Sequence, residues 1–336
     1  MASPPDKVMS DPRIDPRSKA FLQGKPPQSL PALNLWTKEG LSITTHEFKS
    51  EPDGNTVDIY VIRPEGDAVL PGVVYLHGGG MATFSAHDPM YRIYGRILAH
   101  QGICVAMVDF RNFLVPSRKG KPIGPFPAGL NDCVSALEWV NANKASLGIG
   151  PRVIVAGDSG GGNLTLATAL KCKREGKLAL AQGFYACCPY IAGYWPARAG
   201  EPGEILGESH LYTVNGGIML DVIGSYKGVF AHMYTKDDAD ARNPLAWPGF
   251  ASEDDVRGLP PCVICVDECD PLRDEGVNFY RLLLRAGVPA RCWMLMGAIH
   301  GQELLAGATP DISVSVCRSI ADFAAGAHSP AMASKL

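Results

Sequence analysis

Several things that would settle the class of a protein quickly are missing from this chain. No apolar run approaches the ~18 residues of a membrane-spanning helix. Met1-Ala2-Ser3-Pro4-Pro5-Asp6-Lys7 has no apolar stretch of the kind that directs secretion, so an intracellular location is expected. Excess charge is missing too: 31 Lys and Arg against 34 Asp and Glu leave a net charge of −3. That balance removes the electrostatic basis for nucleic acid or an anionic membrane surface as partner. Internal repeats and low-complexity tracts are absent. The ten cysteines show no disulfide framework, and without an export signal they read as reduced, small buried hydrophobes. Cys262 and Cys265 stand three apart in a predicted strand and therefore on opposite faces. They are not read as a zinc pair, and no metal or organic cofactor is expected.

What is present is an interior. Over 336 residues, 46% hydrophobic and 19% charged side chains suffice for a sizeable α/β core. Residues 1–42 are rich in proline and read as an arm over that core, with a short helix at Ser18 to Leu22. Two antiparallel strands, Ile43 to Lys49 and Val57 to Ile62, turn at Pro52 to Asn55. Strands then alternate with helices: strand Pro71 to His77, helix Tyr91 to His100, strand Ile103 to Phe110, a helix opened by Pro127, strand Arg152 to Ala156, a helix from Leu164, and strand Leu178 to Cys188. Such alternation predicts right-handed β-α-β units and a mostly parallel sheet with helices on both faces. Glycine, proline and aromatics interrupt it over 189–250, read as an insertion, helical in part, that caps the core. The core resumes over 251–326 with strand Pro261 to Asp267, helix Asp274 to Ala286, strand Ala290 to Met296 and helix Ile312 to Ala325. Residues 327–336 form an exposed tail.

The chain is organised around Val153-Ile154-Val155-Ala156-Gly157-Asp158-Ser159-Gly160-Gly161-Gly162-Asn163. A strand reversing into a helix within so few residues forces the apical serine into a strained conformation and requires glycine two positions either side. Its hydroxyl then stands clear of the sheet, at a helix N-terminus whose free N–H groups can stabilise an oxyanion. The serine needs a base, and His300 follows the last predicted strand. It also needs an orienting carboxylate, and Asp270 follows the strand before that, with Asp267 as the alternative. His77-Gly78-Gly79-Gly80 follows a third strand and offers unhindered backbone N–H groups, with the Gly160 N–H as a further donor. His77 itself reads as an anchor of that loop. The order Ser…Asp…His, each residue at the C-terminal end of a predicted strand, points to a serine hydrolase.

These motifs, with Asp270-Pro271-Leu272 and Asp274-Glu275, resemble the hormone-sensitive-lipase-like esterases of the α/β-hydrolase superfamily. The Ser-Gly-Gly-Gly-Asn turn, Phe110-Arg111-Asn112 and Gly216-Gly217 suggest a branch that includes a macrolactone hydrolase. The resemblance implies Ser159 as nucleophile, His300 as base, Asp270 as acid, and Gly78, Gly79 and Gly160 as oxyanion donors. It also implies a cap built from the arm and the insertion. The family commonly has Ala at Gly160 and a small residue at Asp267.

A serine carboxylesterase is therefore expected, acting on a small to medium apolar ester or lactone. Met81, Tyr190, Trp195 and Tyr212 are its candidate substrate contacts. Acyl transfer, thioester hydrolysis and ligand reception without turnover are the competing functions on the same fold. A second copy of the chain is a candidate partner. The terminal Ser334-Lys335-Leu336 is a peroxisomal address in a eukaryote and carries no meaning in a bacterium, where a cytoplasmic location is expected.

Overall fold

A computed structural model describes residues 6–25, 37–193, 215, 218, 220 and 229–327. Eight strands, β1 (Leu41–Ser50), β2 (Asn55–Pro64), β3 (Leu70–Leu76), β4 (Cys104–Asp109), β5 (Ile149–Asp158), β6 (Phe184–Cys187), β7 (Cys262–Asp267) and β8 (Ala290–Leu295), form one sheet. Their order is β1-β2-β4-β3-β5-β6-β7-β8. The β1–β2 and β2–β4 pairs are antiparallel and every later pair is parallel. This is the α/β-hydrolase architecture.

The central strands read as unbroken apolar runs because both faces are covered. Val74 and Leu76 of β3, Val153 and Val155 of β5, and Cys262 and Ile264 of β7 enter the larger apolar cluster. Their neighbours Val73, Tyr75, Ile154, Ala156, Val263 and Cys265 enter the cluster on the other face. Cys262 and Cys265 thus point apart, as their spacing predicts. Helix Ala128–Ala142 buries Leu130, Val134, Leu137 and Val140 on one stripe, with Pro127 at its N-cap. At ~1.5–3 kcal/mol for each large apolar side chain removed from water, that stripe outweighs the modest helix propensity of its valines.

Two elements differ from expectation. The stretch Leu178 to Cys188 is a strand only from Phe184; Leu178–Leu180 curl into a 3-10 turn. Parallel pairing begins where Phe184 meets Cys262, and Gln182 upstream turns its side-chain oxygen to the Val153 N–H at 2.7 Å. The helix expected from Leu164 starts at Gly160, directly after the serine. The glycines there mark the tightness of the turn rather than a loop before the helix.

The N-terminal arm lies against the loop after β8. Asp15 caps the helix Pro16–Leu22, and its backbone N–H donates to Gly297 O at 3.0 Å. Val8 and Ile14 are buried with Cys269, Ile299 and Ile218. Among the described residues of the insertion, Val229–Thr235 is helical. Asp237 to Asp240 form an exposed or half-exposed turn, with Asp237 capping the Ala239 N–H. Trp195, Tyr212, Gly216-Gly217 and Ser334-Lys335-Leu336 lie outside the described residues. Among those described, no helix is long and apolar enough to cross a membrane.

Candidate active site

Three loops leaving the C-terminal ends of β5, β7 and β8 meet at one point. The first presents Ser159 at φ 53°, a conformation side-chain-bearing residues rarely adopt. The turn is as tight as its glycines suggest. A Cβ on Gly157 would stand 2.5 Å from Gly161 O, and one on Gly161 would stand 2.6 Å from His77 O. The Ser159 N–H donates to Cys187 O at 2.9 Å, which fixes the apex to β6.

The imidazole of His300 lies between the other two groups, with Nε2 2.9 Å from Ser159 Oγ and Nδ1 2.8 Å from Asp270 Oδ2. Asp270 is fully buried, and its second oxygen accepts the Leu272 N–H at 2.9 Å. A buried carboxylate takes the Nδ1–H, leaving Nε2 to accept the serine proton. Burial works against a charged imidazole here. The charge and hydrogen bond of Asp270 outweigh it, with Glu303 and Asp158 behind, and the imidazolium is held above its ordinary range. Asp267 does not touch His300; its carboxyl accepts the Gly301 N–H at 3.0 Å. Of the two carboxylates open at the sequence level, Asp270 is the one facing the histidine.

The glycine loop after β3 departs from expectation at one position. The Gly78 N–H is already committed, donating to Tyr91 Oη at 2.7 Å. Tyr91 in turn donates to Asp158 Oδ2, and Tyr75 to Asp158 Oδ1, both at 2.9 Å. Burial drives the Asp158 carboxyl up to about 6, although both tyrosines pull it down. Gly79 and Gly80 follow at φ 95° and 62°, where glycine avoids the Cβ penalty. Among the described residues the N–H groups of Gly79, Gly80 and Gly160 have no acceptor. A Cβ on Gly160 would lie 2.6 Å from Gly80 N and from Met81 N, so this glycine allows the two loops to close on one another. The free donors are thus Gly79, Gly80 and Gly160, with Gly80 in place of Gly78.

His77 stacks on Phe110 at 4.1 Å and donates from Nδ1 to Gly78 O at 2.9 Å. Burial holds it neutral, consistent with a loop anchor. Met81 is buried in the larger apolar cluster. Tyr190 is half-buried beside the nucleophile, its N–H on Ser159 O at 3.0 Å and its hydroxyl on Gly193 O at 2.5 Å. Phe230 of the insertion lies over Gly80: a Cβ there would stand 3.0 Å from the ring. Phe113, Tyr234 and Trp247 continue that aromatic wall.

Sequence reading missed a brace from the arm. Asn215 Nδ2 donates to the carbonyls of Glu268 and Asp270 at 3.0 and 3.1 Å, and Arg13 holds Asn215 Oδ1 at 2.9 Å. Nothing in the local pattern of Arg13 or Asn215 announces a contact between residues so far apart in the chain.

Residues 73–304 match the family described as having the α/β-hydrolase fold. The chain belongs to that family. It is similar to the solved esterase Est22, at 47% identity and TM-score 0.86, over 95% of this chain and 99% of that one. It is also similar to brefeldin A esterase, a bacterial homologue of human hormone-sensitive lipase, at 34% identity and TM-score 0.82, over 96% and 97%. Carboxylesterase NlhH of Mycobacterium tuberculosis is 31% identical over 77% of this chain and 75% of its own. With the hormone-sensitive-lipase-like resemblance met in these relatives, the chain is a carboxylesterase of the α/β-hydrolase family.

Proposed function

We propose that this esterase works through Ser159, His300 and Asp270 and an acyl-enzyme. The observation that carries this reading is the unbroken line of hydrogen bonds from Asp270 through His300 to Ser159. His300 Nε2 takes the hydroxyl proton as Ser159 Oγ attacks the acyl carbon. The tetrahedral oxyanion is met by the N–H groups of Gly79, Gly80 and Gly160. The imidazolium, steadied by Asp270, gives its proton to the leaving alkoxide, and water releases the acyl group by the same steps. The ring of Phe230 over the glycine loop favours an apolar ester or lactone of small to medium size, with the arm and the 189–250 insertion acting as cap.

Ser159→Ala is expected to lower kcat on an activated short-chain ester by several orders of magnitude. Turnover near the wild-type rate would refute the assignment. Comparing oxygen esters, lactones and acyl-CoA thioesters on the same preparation ranks the substrate classes. The homodimer reading has a surface in the edge strand β8, where Trp293, Met294 and, just beyond it, Met296 are exposed; sedimentation of the purified chain tests it. The terminal tripeptide is a peroxisomal address in a eukaryotic host only, and no relative adds support to it. Its deletion in a tagged copy tests the reading.

A further inference from the structure

Asp267 ends β7 three residues before Asp270, and it has a partner of its own. Its Oδ2 accepts the N–H of Gly301, the residue after His300, at 3.0 Å. Glu303 turns its carboxyl back to the same place. One oxygen of Asp267, one oxygen of Glu303 and the Sγ of Cys188 all lie within 4.8 Å of one another. The thiol donates to Glu303 Oε1 at 3.7 Å, and it also stands within 4.8 Å of ligand atoms of Asp270 and His300. Both carboxyls are 1% exposed, and among the described residues neither has an ion-pair partner.

Two buried carboxyls whose oxygens lie within 4.8 Å oppose one another's ionisation. Burial and then the charge of Glu303 push Asp267 well up; burial and then Asp158 push Glu303 to about 7. The groups facing them are Asp158, Asp270, Cys188, Cys265 and His300, with Tyr94, Tyr185, Cys187 and Cys317 on the flanking elements. Of these only His300 can become positive.

We propose that Asp267 and Glu303 act as one positioning pair that shares a single proton, fixing the His300 loop through the Gly301 amide and setting one negative charge behind the imidazole.

The inference rests on His300 as general base, and the pH dependence of kcat/KM reads it. Activity climbs with pH as the free enzyme's imidazolium loses its proton, so the midpoint of that limb reports His300. The double variant Asp267→Asn/Glu303→Gln strips the charge while keeping volume. Its midpoint should fall by about half a pH unit or more, and kcat by about three- to tenfold, with KM unchanged. Each single amide variant leaves the other carboxyl free to ionise, so its midpoint should move less than half as far. Asp267→Ala, which also removes the acceptor of the Gly301 amide, should lower kcat below Asp267→Asn.

A double variant with an unmoved midpoint overturns the pair. So do single displacements that sum to that of the double, and so does equal kcat in Asp267→Ala and Asp267→Asn. If the double variant does not fold, the singles decide: either one displaced by more than about half a pH unit overturns the shared proton. An active Ser159→Ala would instead remove the general-base reading itself, which separates the two failures.

Discussion

Two parts of this site do comparable work and differ in how much of it depends on side chains. The loops after β7 and β8 bring Asp270 and His300 into line with Ser159 by side-chain contacts of 2.8 and 2.9 Å. The loop after β3 offers only backbone N–H groups, and which of them is free is decided by a distant tyrosine that takes the Gly78 N–H. The first kind of chemistry is named by residue type. The second is named by whatever occupies the space next to a glycine. Substitutions in the two parts should therefore fail in different ways.

The largest effect is expected on the side-chain loops. Asp270→Asn keeps the volume but can present its amide N–H to Nδ1, favouring the tautomer that puts a proton on Nε2, where the serine needs an acceptor. A kcat loss of roughly 10⁴-fold with little change in KM is expected. A loss below about tenfold would show that Asp270 does not orient the base.

The next effect belongs to the contact between the serine turn and the glycine loop. Gly160→Ala places a methyl group 2.6 Å from Gly80 N and Met81 N, so the glycine loop must shift by several tenths of an ångström. Displacing donors from the oxyanion costs about 10²–10³-fold in kcat. Wild-type turnover in the variant would show that this loop yields freely.

Tyr91→Phe comes third and bears directly on Gly78. It removes the acceptor of the Gly78 N–H and one donor to Asp158. Each buried group left unpaired costs about 1–3 kcal/mol of stability. With Gly79, Gly80 and Gly160 as the donors, kcat should fall by less than about tenfold once the folded fraction is corrected for. A loss beyond about 100-fold would place the Gly78–Tyr91 bond inside the catalytic machinery.

The same contrast explains what the sequence made legible. Strand and helix order, the parallel core and the three side chains of the line were readable, because each depends on residue type at a local period. Asp270 was preferred with Asp267 as the alternative, since both stand at the end of β7 and only the placement of the His300 loop chooses between them. Gly78 was expected as a free donor, but its amide is taken by Tyr91, thirteen residues away, which no local pattern announces. The start of the Gly160–Arg174 helix was misplaced because glycine reads locally as loop, whereas here close approach to Leu76 and His77 demands it. Arg13 and Asn215 were invisible for a similar reason: their partnership is tertiary.

The smallest effect on turnover, and the sharpest on stability, concerns Asp158, which joins the β3 loop to the serine turn. Its carboxyl is raised from 3.8 to about 6 because it is buried. The folded chain therefore holds more protons here than the unfolded chain between those values. Stability from this group is complete below about 3.8 and is lost as pH rises through about 6, amounting to no more than about 3 kcal/mol. His77 and His87, held neutral by burial, act in the opposite sense below the ordinary histidine range, so the absolute curve mixes several groups. The difference between wild type and Asp158→Asn isolates one of them. Urea unfolding at intervals from pH 4 to 7 should show wild type losing stability relative to the variant as pH rises. A difference that stays flat across that range would mean that Asp158 is ionised throughout, and that Tyr75 and Tyr91 hold a carboxylate rather than a shared proton.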